Sequence, residues 1–210
     1  MKYTKKFKIP GYDSEVQSKI NDKQKGSGLA IYLDENLVKN KIKECCISTY
    51  DIESLFITIE NTPKPVTFGV VYRPPNGNLK NFFSQFEKII SSLPDNNSII
   101  TGDFNINFHL PSNDSMLCDF ENIIYGNCFV PLISLATHHK PNCNPSCIDN
   151  IIVNSYDNLL ISGTLEWNVS HHTPIMRVYD SLLSKSPVIN PLHCQNMTIV
   201  SLISLISMKH

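Results

Sequence analysis

The ten residues SIITGDFNIN, residues 98–107, decide how the rest of the chain is read. Ser98 to Thr101 form a short uncharged run with two isoleucines, the composition of a buried strand, and Gly102 lets the backbone bend as the strand ends. Asp103 and Asn105 follow two residues apart. A period of two sets both side chains on one side of an extended segment, a carboxylate able to meet a metal ion or a water and an amide able to hold a phosphate. Alone the pair decides nothing, since Asp and Asn also build ordinary turns after strands.

Working outward, TFGVVYRPPNGN (67–78) is a strand that delivers Tyr72 and Arg73 just before Pro74 and Pro75 stop the ladder. Downstream stand SCIDNIIVN (146–154) and SHHTPI (170–175). Apolar patterning predicts strands over 28–33, 53–60, 67–73, 98–101, 147–154 and 174–179. Leu79, Phe82, Phe83, Phe86, Ile89, Ile90 and Leu93 recur at three and four, which predicts an amphipathic helix with Asn78 as its cap. Met116, Leu117, Phe120, Ile123 and Ile124 repeat the pattern between an Asp114 cap and a Gly126 stop. Strands interleaved with two such helices predict two facing mixed sheets with helices outside.

Phosphodiester hydrolysis needs a divalent ion against the non-bridging oxygens, a group that aligns or deprotonates water, and donors for the transition state. Asp103 is the natural water-activating carboxylate. Asn105 can donate to a phosphate, and Tyr72 offers a hydroxyl at the mouth of a neighbouring strand. Asp149 and His172 suggest an oriented pair, in which the carboxylate fixes the imidazole tautomer and favours its charged form.

The order ESLFITI, GVVYRPP, IITGDFNIN, CIDNIIVN, SHHTPI resembles the endonuclease/exonuclease/phosphatase superfamily, and within it the endonuclease domain of non-LTR (LINE-type) retrotransposons. The likeness runs from about Pro10 to about Tyr179. It implies an α/β two-sheet sandwich with outer helices, the four-layer deoxyribonuclease I-like fold, occupying 1–180 and followed by a tail over 181–210. It implies a magnesium-dependent DNA endonuclease, with manganese as the other cofactor. Tyr72, Asp103, Asn105, Asp149 and His172 match the family's catalytic positions, and Arg73, which follows the tyrosine in many retrotransposon members, would contact substrate. In ATHHKPNCNPSC (136–147), the loop that probes target DNA in such endonucleases, His138, His139 and Lys140 would contact substrate. Zinc on His138, His139, Cys143 and Cys147 is a weaker reading, because prolines interrupt the spacing and no second knuckle exists.

Two departures bear on activity. The family begins with a strand ending in asparagine, a helix, and a strand carrying a metal-binding glutamate, whereas this chain opens near IPGY; the resemblance therefore implies a fold incomplete at the N-terminus. Glu15, Glu35, Glu44 and Glu53 sit in no matching motif. Where the family writes Ser-Asp-His this chain writes Ser-His-His, so His171 stands beside Asp103 in the metal set as a neutral nitrogen in place of a hard anionic oxygen. An impaired endonuclease is the leading expectation. The alternatives are an inactive nucleic-acid-binding remnant and a phosphatase on a small-molecule or lipid substrate.

A formal charge of -1 over 210 residues gives no strong global field for nucleic acid, and 41% hydrophobic content permits a real core. The start, MKYTKKFKIPGY, lacks an apolar signal region, and seven cysteines without framework spacing suit a reducing compartment. An intracellular protein, nuclear or cytoplasmic and not secreted, is expected. TIVSLISLISM (198–208) is too short to span a bilayer, so no membrane partner is expected.

Overall fold

Alternation of apolar and polar residues resolves into one large sheet with a different covering on each face. The computed structural model describes residues 8–17, 28–62, 64–95, 97–155, 159–166, 170–180 and 197–200. In chain order the elements are β1 (Tyr12–Gln17), β2 (Leu29–Asp34), β3 (Lys39–Lys41), a 3-10 turn (Lys43–Cys45), β4 (Glu53–Ile59), β5 (Val66–Tyr72), α1 (Leu79–Ile90), β6 (Ser98–Asp103), α2 (Ser115–Gly126), β7 (Val130–Pro131), β8 (Asp149–Val153), β9 (Leu159–Thr164), β10 (Ile175–Asp180) and β11 (Met197–Val200). The central sheet runs β3-β4-β5-β6-β8-β7. Only β5 and β6 pair in parallel, and α1 is the crossover that a parallel pair requires.

Period two divides the sheet's side chains between two cores. Leu55, Ile57 and Ile59 of β4, Val66, Phe68 and Val70 of β5, Ile99 of β6, and Ile151 and Val153 of β8 face one way, where Leu29, Ile31 and Leu33 of β2 and Ile175 of β10 cover them. Phe56, Val71, Ile100 and Ile152 face the other way, onto α1 and α2. The β1-β2 pair and the β11-β10-β9 sheet thus lie on the face opposite the helices, giving the two-sheet α/β sandwich with outer helices. Among the described residues, no helix covers the outer side of the smaller sheets.

Asn78 accepts the Asn81 N–H at the start of α1, and Asp114 accepts the Leu117 N–H at the start of α2, so both helices carry the caps read from sequence. Their apolar faces meet in an aromatic cluster of Phe82, Phe86, Phe104 and Phe120, with ring centroids 5.3 to 5.9 Å apart. Phe104 is the member that matters for function. Fully buried on the helix side, it anchors the chain between Asp103 and Asn105.

Gly102 acts differently from expectation. The strand continues through it to Asp103, and a Cβ at Gly102 would lie 1.7 Å from the Val71 carbonyl oxygen. Close approach of β5 and β6, not a bend, demands glycine there. Met197–Val200 pairs with β10, which draws part of the 181–210 tail into a sheet; the rest of that tail lies outside the described residues. Among the described residues, no helix is long and apolar enough to cross a membrane.

Candidate active site

Strand register assembles the site. Glu53 lies opposite Tyr72, Tyr72 beside Asp103, and Asp103 opposite Asp149, one row across β4, β5, β6 and β8. These residues are in phase with Leu55, Val70, Ile99 and Ile151, so the row faces the side of the smaller sheets at one end of the central sheet. His172, just before β10, closes the row: its Nδ1 is 3.0 Å from Asp149 Oδ2 and 3.2 Å from Oδ1.

Thr137 supports that pair from behind. Fully buried, its hydroxyl accepts the Ile148 and Asp149 N–H groups at 3.1 and 3.0 Å, while its carbonyl accepts the Thr173 N–H at 2.7 Å. The Ser170 hydroxyl accepts the His172 N–H at 3.0 Å.

Burial and charge tune the row. Asp103 is raised to about 7, chiefly by burial and next by the Asp149 charge, against which His172, the Asn105 N–H and Arg73 pull down. Burial lowers His172, but the hydrogen bond and charge of Asp149, with Asp103, outweigh it and the net shift is upward. Tyr72 is pushed up to about 12 by burial, then by Asp103 and Glu53, so its phenol keeps its proton at neutral pH. His138, whose ring centroid is 4.7 Å from that of His172, is lowered by burial and by the charge of its neighbour.

Asn105 stands near Asp103, though not as an extended continuation of the strand. Its φ is 48°, a left-handed turn; its backbone N–H donates to Asp103 Oδ1 at 2.9 Å, and its side-chain Nδ2 donates to the Arg73 carbonyl at 2.7 Å. The side chain is thus oriented by the backbone of β5's end. Arg73, expected to contact substrate, is instead 7% exposed, and its guanidinium donates to the carbonyls of Phe104, Asn105, Pro74 and Gly77. His139 and Lys140, in the loop before β8, are exposed, with His138 half-buried against His172.

One metal assignment needs correction. Among the described residues, the His, Cys, Asp and Glu side chains with ligand atoms within 4.8 Å of one another are Asp103, Asp149 and His172. His171 is exposed and outside this group, because its neighbour His172 is the one turned toward Asp149. The weaker zinc reading fails likewise, with Cys147 buried and donating to the Ile133 carbonyl and Cys143 exposed. The Asp103 and Asp149 carboxylates of this group are hard oxygen donors that suit a divalent cation, which would relieve the repulsion that, after burial, raises Asp103.

Sequence reading missed Glu53 and Thr137. Glu53, 2% exposed with Oε2 accepting the Gly28 N–H at 2.8 Å, could have been found from its phase with Leu55, Ile57 and Ile59. Thr137 carried no such signal, since its role arises from contacts to backbone groups eleven and twelve residues away.

A mixed sheet backed by two helices, faced by smaller sheets, and carrying an acidic row with histidine at its strand ends is the deoxyribonuclease I-like fold of the endonuclease/exonuclease/phosphatase superfamily. The chain belongs to the endonuclease-reverse transcriptase family, whose model matches residues 66–176, more than half of its length. No curated protein matches it. The endonuclease domain of TRAS1, a telomere-specific non-LTR retrotransposon, superposes with a TM-score of 0.65 at 14% identity, over 80% of this chain and 77% of that one. An endonuclease/exonuclease/phosphatase family protein from Leptotrichia buccalis gives 0.57 at 18% identity, over 80% and 71%. The inositol polyphosphate 5-phosphatase domain of SpSynaptojanin, in complex with inositol (1,4)-bisphosphate and a calcium ion, gives 0.51 at 14% identity, over 82% and 63%.

Proposed function

We propose that this chain is a metal-dependent DNA endonuclease domain of the retrotransposon type, working slowly as it stands. The carrying observation is the convergence of Asp103, Asp149 and His172 at the strand ends, with Tyr72 and Asn105 beside them. Magnesium or manganese, held by Asp103 and Asp149, would supply charge neutralisation at the phosphate oxygens. Asp103, once deprotonated, orients and accepts a proton from the attacking water. Asp149 keeps the His172 imidazole oriented through Nδ1, and the raised affinity of His172 for a proton leaves Nε2 as a charged donor to a phosphate oxygen. Tyr72 serves as a neutral hydroxyl donor, because a phenol near 12 is not a phenolate nucleophile at neutral pH. Asn105, aimed by its bond to the Arg73 carbonyl, adds a second neutral contact.

The exposed His139 and Lys140 would meet the DNA backbone, contacts that position more than they specify. A DNA substrate and six described cysteines that are all free fit work in a reducing compartment, inside the cell. Slowness follows from charge: His171, exposed beside His172 with its ring centroid 6.5 Å from that of His138, stands where the family's aspartate would add a negative group. The test is nicking of supercoiled plasmid with magnesium, with manganese, and with chelator. Wild type should nick slowly with either ion and not with chelator, and His171→Asp should raise the rate about three- to tenfold, the effect of roughly 1 kcal/mol in the barrier. Nicking that persists in chelator would overturn the proposal.

A further inference from the structure

Arg73 is a buried cation whose hydrogen-bond acceptors are all backbone carbonyls, which sets it apart from an arginine kept for an ion pair. Its Nε donates to the Phe104 carbonyl at 2.8 Å and its Nη2 to the Asn105 carbonyl at 2.9 Å, the two residues that follow Asp103. Nη1 reaches the Pro74 and Gly77 carbonyls, both at 3.4 Å, in the turn that leads to α1. In return Asn105 Nδ2 donates to the Arg73 carbonyl at 2.7 Å, and the Arg73 N–H donates to the Asp103 carbonyl at 2.9 Å. The guanidinium carbon lies 5.9 Å from the centroid of the Phe82 ring on α1.

The φ of 48° at Asn105 is a left-handed turn that asparagine adopts more readily than most residues; the fork and the reciprocal bond select it, and the turn carries a side chain of the site. A planar fork with donors on three nitrogens can span the carbonyls of residues 104, 105 and 77 at once; the point charge of a lysine cannot. We infer that Arg73 is a positioning residue of this site: its fork and the reciprocal Asn105–Arg73 bond lock the 104–105 turn, and so aim Asp103 and Asn105. Its role in reaction rests on the endonuclease reading above, while its role in geometry does not.

Backbone amide hydrogen exchange, followed residue by residue, separates the two. In Arg73→Lys and Arg73→Ala, the Asn105 and Phe104 amides should exchange about tenfold faster or more, the consequence of losing a charge-assisted hydrogen bond, while β4 and β8 keep their protection. Methylguanidinium added to Arg73→Ala should restore protection at Asn105 and should do nothing for Arg73→Lys, whose ammonium occupies the space. If Arg73→Ala does not fold, Arg73→Gln, which keeps a planar donor, is compared with wild type in the same way. Plasmid nicking by the variants should show kcat falling about tenfold with DNA affinity within about twofold, a barrier change of roughly 1.4 kcal/mol. Asn105 exchange that is unchanged, or that rises no more than exchange in β4 and β8, would overturn the inference. A wild type that does not nick while Asn105 responds as described would sink the endonuclease reading and leave the clasp standing.

Discussion

Asp103→Asn should stabilise the metal-free protein at alkaline pH. In the folded chain Asp103 is raised from 3.8 to about 7 by burial and by Asp149, whereas in the unfolded chain it titrates at the ordinary value. Between those values the folded state holds a proton that the unfolded state has released, so this group favours folding below about pH 4 and loses that contribution as pH rises through about 7. Roughly three units at 1.36 kcal/mol each set an upper bound of about 4 kcal/mol, and sharing of charge with Asp149 and His172 brings the expected difference to about 2–4 kcal/mol. An asparagine carries no such penalty, and its carbonyl can still accept the Asn105 N–H that Asp103 Oδ1 accepts now. Urea unfolding in chelator should therefore give the variant a higher midpoint at about pH 8, with the gap closing toward about pH 4. Magnesium or manganese should narrow the gap at high pH by binding the wild-type native state. A variant no more stable than wild type at about pH 8 would refute the reading of Asp103 as a buried carboxylate crowded by its neighbour.

Gly102→Ala places a Cβ 1.7 Å from the Val71 carbonyl oxygen and must part β5 from β6; a loss of about 3 kcal/mol or more in urea unfolding checks it, and a neutral effect would contradict the packing. Thr137→Val leaves the Ile148 and Asp149 N–H groups without their hydroxyl acceptor, for an expected loss of about 1–3 kcal/mol and faster exchange of both amides. Phe104→Ala opens a cavity in the aromatic cluster and should cost about 3–5 kcal/mol by the same unfolding measurement.

Much of this was legible in the chain because the strands follow a strict period of two. Once Ile99, Leu55, Val70 and Ile151 are known to face one core, Asp103, Glu53, Tyr72 and Asp149 must face it as well, and the register then lines them up. The caps at Asn78 and Asp114 and the two helical stripes were readable for the same reason, being local. What could not be read is non-local or runs against pattern. Strands such as β1, with the polar sequence YDSEVQ, and the three-residue β3 owe their form to partners and not to composition. Arg73 is usually a surface residue type, and only its placement against four carbonyls reveals a buried role. His172 was readable as the partner of Asp149 from its place at the end of Ser-His-His, whereas the outward turn of His171, away from Asp103 and Asp149, was not.

The proposed endonuclease role is tested most directly by a time course of supercoiled plasmid nicking with magnesium, comparing wild type with Asp103→Asn while DNA affinity is measured on the same preparations. Slow nicking by wild type, lost in the variant by about a hundredfold or more with affinity within about twofold, is the predicted result, as for any group whose contribution is made in the transition state. Nicking by Asp103→Asn at the wild-type rate would contradict the assignment of Asp103 and the endonuclease reading built on it.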